Sequence, residues 1–219
     1  MTKALVLDFG GVISRTLFET HALTEKALGL ADGTLTWRGP FDPASDPLWQ
    51  SMQDDKITER EYWLQRTRDV AALAGESWTQ MSQFVIAARG ADPMPVIRPE
   101  ALDAIERARA AGCKLAILSN ELDLFYGADF RRKLPFLEEF DVIHDATYTK
   151  ILKPDSRAYR ACIGDLSVEA GDCIFVDDQA RNIRGADAVG MKTVHFDVSR
   201  PGAGFAHALA LLEITGEAP

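Results

Sequence analysis

Six polar residues of this 219-residue sequence stand at or between the ends of short apolar runs. Asp8 follows "ALVL", Ser119 and Asn120 follow "LAIL", Asp177 and Asp178 follow "IFV", and Lys153 lies within "ILKPD". Three carboxylates, one ammonium and one hydroxyl are what phosphoryl transfer to a carboxylate requires. A nucleophilic acid that approaches a dianionic phosphorus must be held on a rigid strand end beside Mg²⁺. That ion takes a few hard oxygen ligands and keeps several waters, so Asp8, a backbone carbonyl and one of the late acids would suffice. The phosphoryl oxygens need donors and positive charge. Lys153, the Ser119 hydroxyl and the backbone N–H groups after the first run could supply both, because Gly10 and Gly11 allow close approach there. Taken singly, each residue reads as a turn, a cap or a solvated face. Their ordered occurrence at run ends carries the argument.

The elements that must position them are legible as well. Residues 3–8, 113–119, 173–178 and 192–196 read as buried strands, short and apolar, and 140–145 as a weaker fifth. Helical patterns between them predict an α/β fold, a doubly wound, Rossmann-like parallel sheet, whose ligands bind outside the carboxyl ends of the strands. "RPEALDAIERARAAG" is one such helix, with Pro99 near its start and Gly112 as its stop. From about 15 to 95 the pattern is helical throughout. "TEREYWLQRTRDVAALAG" opens on a capping box, Thr58 with Glu61, and ends at Gly75, and "SWTQMSQFVIAARG" suggests the same device with Ser77 and Gln80. The expectation is a core of residues 1–14 and 96–219 carrying an inserted α-helical cap domain of residues 15–95, with "ADPMPVIRP" as the return linker. Trp37, Trp49, Trp63 and Trp78 all fall in the insert and are expected to pack its core.

Composition narrows the partners. A net charge of −9 repels polyanions, which argues against nucleic acid, so any phosphate must be held locally. Cys113, Cys162 and Cys173 lack metal-ligand spacing and read as reduced thiols. No run reaches membrane-spanning length, and a cytoplasmic protein is expected.

The ordered motifs resemble those of the haloacid dehalogenase-like hydrolase superfamily, in its phosphatase branch with a helical cap. "LVLDFGGVIS" is similar to its first motif, "LAILSN" to the second, "ILKPD" to the third and "IFVDDQARNIRGADAVGMKTVHF" to the fourth with its trailing helix and strand. The resemblance implies a hydrolase that attacks a small phosphorylated metabolite through an aspartyl-phosphate on Asp8. Ser119, Asn120, Lys153 and Gly11 would bind the phosphate, and Mg²⁺ would sit on Asp8, the Gly10 carbonyl and the acids Asp178 and Asp177. Asp178 matches the position that most often ligates the metal directly, and Asn182 stands where many relatives carry a further acid.

One departure matters. Phosphatases of the family usually carry a second Asp two residues after the nucleophile, as general acid for the leaving alkoxide. Here that residue is Gly10. A positioned acid is worth about 10²–10⁴-fold in rate, so the proton must come from elsewhere or the substrate must not need it. His21, near the start of the insert, is the candidate donor in the sequence. A substrate with a good leaving group, such as an acyl or aryl phosphate, is another answer, and a silent phosphate-binding protein a third. A dehalogenase of the same superfamily also lacks the second Asp, but its fourth motif is not typically an acid pair. A receiver-type phospho-acceptor fails on the order of its motifs.

Overall fold

The computed structural model describes residues 2–54, 56–89, 93–120, 122–123 and 131–214. Its sheet has five parallel strands: β1 (Ala4–Leu7), β2 (Lys114–Ser119), β3 (Val142–Asp145), β4 (Cys173–Asp177) and β5 (Lys192–His195), in the order β3-β2-β1-β4-β5. All five expected strands form, the weak 140–145 run included. Strands buried on both faces need continuous apolar sequence, and every residue of β1 and β4 is buried. Successive side chains point to opposite faces. Leu5, Leu7, Leu115, Ile117, Ile174 and Val176 join one hydrophobic cluster, and Ala4, Val6, Ala116, Leu118, Cys173 and Phe175 join the other.

Helices α5 (Pro99–Ala110) and α9 (Pro201–Leu211) cover the first face, through Ala101, Ala104 and Ile105 and through Phe205 and Leu209. Helices α7 (Ser156–Leu166) and α8 (Ala180–Asp187) cover the second, through Tyr159, Cys162 and Leu166 and through Ile183 and Ala186. A short α6 (Ala146–Thr149) follows β3. The strand order reverses between β1 and β4. That switch point opens a crevice at the carboxyl edge, where Asp8 and Asp177 meet.

Between β1 and α5 the chain forms α1 (His21–Leu28), α2 (Pro47–Gln53), α3 (Glu59–Ala74) and α4 (Met81–Arg89). These pack on a separate cluster built of residues from Leu17 to Ala88, with Phe18 and Tyr62 near its centre. The capping box of α3 forms as expected, with Gly75 left-handed at its end. The second expected box does not. Helix α4 begins at Met81, and the Gln83 side chain accepts the Thr79 and Gln80 amides, so Ser77 lies outside the helix. Of the return linker, Ala91 and Asp92 lie outside the described residues.

The insert leaves and rejoins the core at one place. Ser14 and Ile97 form an antiparallel bridge, Arg15 donates to the Val96 carbonyl, and Arg98 N–H donates to Ile13. The Arg98 side chain is buried here. It donates from Nε and Nη2 to the Gly11 carbonyl (3.2 and 3.0 Å) and from Nη1 and Nη2 to the Glu19 carboxylate (2.7 Å each). Among the described residues, no helix is long and apolar enough to cross a membrane. All three cysteines are free thiols.

Candidate active site

The residues expected to carry chemistry converge at the carboxyl edge of the sheet. Asp8 directly follows β1, Ser119 ends β2, Asp177 ends β4 with Asp178 next, and Lys153 arrives on the loop before α7. Lys153 is the organiser. Its Nζ lies 2.8 Å from Asp8 Oδ1 and 2.7 Å from Asp177 Oδ2, and its side chain is 1% exposed. Carboxylate oxygens of Asp8, Asp177 and Asp178 lie within 4.8 Å of one another. Three acids against one ammonium leave a local excess of negative charge, on oxygen donors alone. That donor set fits a hard divalent cation.

The two late acids are not equivalent. Asp177 is fully buried, and both of its oxygens are engaged. Oδ1 accepts from the Gln179 amide and Asn182 Nδ2, and Oδ2 from Lys153 and Asn182 Nδ2. Asn182 therefore puts an amide donor where a further acid would repel Asp177. Asp178 lines the cavity, packed against Gly11. A Cβ at Gly11 would lie 2.7 Å from Asp178 Oδ2, and Gly11 has φ +81°, so a side chain there is excluded twice over.

The electrostatics follow from crowding. Burial pushes the Asp8 carboxyl up to about 6; Lys153 draws it back, and Asp177 adds to the rise. Asp178 is raised well above the usual range by burial, then by Asp177, Asp8 and Glu59. Lys153 is pushed upward despite its burial, because Asp177 and Asp8 hold its proton.

Above these residues opens a cavity of about 720 Å³ between the sheet edge and the insert. Asp8, Gly10, Ser119, Lys153 and Asp178 form its floor. Trp49, Trp63, Leu64, Met81 and Val85 form much of its wall. Asn120 also reaches the cavity, but its side-chain amide is spent on the Lys153 backbone: Oδ1 accepts the Lys153 N–H at 2.7 Å, and Nδ2 donates to the carbonyl at 3.1 Å. It holds the lysine loop.

Other expectations are corrected. His21 does not line the cavity. It is buried edge-on against Trp37, ring centroids 4.3 Å apart, and burial with the nearby Arg38 pushes its pKa down to about 4. Its ring serves the packing of the insert. Within the same insert, Arg66 points to the buried Asp46 and over the rings of Trp37 and Tyr62, and Arg68 is exposed outside the cavity. Trp37 and Trp78 pack the insert as expected, whereas Trp49 and Trp63 do so and line the cavity too.

Two site residues escaped the sequence reading. Glu59, the first residue of α3, lines the cavity from the insert and ion-pairs with Arg181 of α8. They lie 122 positions apart, and Glu59 reads locally as an ordinary first-turn acid of a capped helix. No signal in one sequence joins them.

Comparison with known proteins places the chain in a family. A family profile described as "haloacid dehalogenase-like hydrolase" matches residues 2–190, and the chain belongs to that family. It is 34% identical over 196 residues to mouse acyl-CoA dehydrogenase family member 10, covering 89% of this chain but 18% of that protein. It is 33% identical over 101 residues to phosphatase MT3486 of Mycobacterium tuberculosis (strain CDC 1551 / Oshkosh), covering 46% of each. The chain thus spans less than half the length of these two relatives. Among solved structures, a family enzyme of Bacteroides thetaiotaomicron, a mutant in complex with magnesium and inorganic phosphate, has a TM-score of 0.53. It is 18% identical, covers 90% of this chain and 95% of its own, and supports the fold.

Proposed function

We propose that the chain is a Mg²⁺-dependent phosphatase that hydrolyses a small phosphate ester through an aspartyl-phosphate on Asp8, with residues 15–95 acting as a cap over the site. The observation that carries this reading is Lys153 Nζ, held between Asp8 and Asp177 at the switch point of the sheet.

In this mechanism Asp8 attacks phosphorus from a fixed strand end, its orientation set by Lys153. The same ammonium neutralises charge as the phosphoryl group transfers, and the Ser119 hydroxyl donates to a phosphoryl oxygen. Asp177, locked by Asn182 and Gln179, holds Lys153 in place rather than touching substrate. Asp8, Asp178 and the Gly10 carbonyl would hold Mg²⁺, which when bound neutralises phosphoryl charge and lowers the pKa of both carboxylates. The cavity wall, aromatic around Trp49 and Trp63, fits an ester whose body is partly apolar.

The test is phosphate release from acyl, aryl and sugar phosphates with and without Mg²⁺. The wild type should release phosphate only with the metal, and Asp8→Asn, nearly isosteric, should fold normally and release none. Turnover retained by Asp8→Asn would remove the nucleophile assignment.

A further inference from the structure

If Asp8 is the nucleophile, an alkoxide leaving group needs a proton that Gly10 does not provide. Among the described residues that line the cavity there is no histidine, cysteine or tyrosine, and the carboxylates number three: Asp8, Asp178 and Glu59. The first two belong to the cation-binding cluster on the floor. Of the three, Glu59 alone comes from the insert, and it lies close enough to the floor to raise the Asp178 carboxyl further; a group displaced from phosphorus by Asp8 would leave toward that side. The helix of Glu59 runs 16 residues and is capped at Thr58, so the position is fixed. Its carboxylate is fixed again by Arg181 across the crevice, with 31% of the side chain still open to solvent.

We propose that Glu59 is the proton donor to the leaving oxygen, supplying from the insert what Gly10 lacks in the core. The proposal rests on the phosphatase reading. As the ester P–O bond breaks and the Asp8–phosphorus bond forms, Glu59 gives its proton to the departing alkoxide. The resulting carboxylate then takes a proton from the water that attacks the aspartyl-phosphate. Phosphate leaves, and both Asp8 and protonated Glu59 are restored. Surroundings suit the role: burial holds the Glu59 carboxyl above its usual range and Asp177 adds to this, against Arg181, Lys153 and the Trp63 side chain. Arg60 of its own helix also lines the cavity.

Leaving-group dependence tests it, with acetyl phosphate, p-nitrophenyl phosphate and n-butyl phosphate as probes and Mg²⁺ present. Glu59→Gln should lower kcat/KM for n-butyl phosphate by about 10²–10³-fold, and for acetyl phosphate, whose leaving group needs no acid, by less than about threefold. Gly10→Asp should restore the alkyl activity in the Glu59→Gln background. A Cβ at Gly10 meets nothing within 4 Å, so a side chain can start there without a clash. Equal loss across the probes in Glu59→Gln, or no loss, would reduce Glu59 to a tether and overturn the proposal. A wild type that cleaves acetyl phosphate but not n-butyl phosphate would overturn it too, with Asp8 untouched. No cleavage of any probe would withdraw the phosphatase reading itself, and this proposal with it.

Discussion

At the scale of single residues, Lys153 has the most to hold together. It is buried with two carboxylates on one ammonium, so its removal does more than lose a substrate contact. Lys153→Met should lower kcat by at least about 10²-fold, because phosphoryl charge goes uncompensated and Asp8 loses its fixed orientation. Steady-state kinetics on p-nitrophenyl phosphate check this, and a wild-type rate would move the phosphate site away from β1. The residue types at the floor were legible in the sequence because Asp8, Ser119 and the Asp177–Asp178 pair sit where apolar runs stop, with Lys153 in a loop between two such runs. Their division of labour was not. That Asp177 is saturated by Lys153 and Asn182, while Asp178 lies open beside Gly11, depends on which way each carboxylate turns, and adjacency in sequence carries no such information.

The elements show where legibility ends. The inner strands β1, β2 and β4 could be read because continuous burial writes itself as continuous Leu, Ile, Val and Ala; the edge strands β3 and β5 are only partly buried and were legible mainly from their alternation with helices, and α3 from its two caps. Contacts between elements left no such trace. Arg98 looked like a residue before a proline, yet it joins the first motif to the start of the insert through Gly11 and Glu19. Arg98→Met should destabilise the fold by about 3 kcal/mol, since it strands the Gly11 carbonyl and the partly buried Glu19. Denaturant unfolding measures this directly, and a change below about 0.5 kcal/mol would show that water serves both groups as well as Arg98 does. His21 could be read two ways, as a donor or as a packing residue, and it packs. A histidine at the head of a helix beside the site suggested chemistry, but the helix turns that face toward Trp37.

At the scale of the whole molecule, the same His21 couples folding to acidity. In the folded chain it takes up a proton only near pH 4, whereas its ordinary value is 6.5. The unfolded chain therefore binds that proton first as pH falls. The stability it contributes is whole above about 6.5 and is lost on the way down to about 4, by up to about 3 kcal/mol. Urea midpoints at about pH 7 and about pH 5 should converge in His21→Phe relative to wild type. An equal drop in both proteins would assign the acid sensitivity to other groups. The molecule has a further property, set by the bridge between Ser14 and Ile97. The chain departs and returns through neighbouring positions, so everything between them can be treated as a replaceable cassette. A short turn joining these two positions would close a much smaller loop at little entropic cost, and the parallel register of β1 with β2 and β4 would not have to change. Cassettes of other sizes and linings could then be exchanged on an unaltered sheet, so that the cavity wall changes while its floor stays constant.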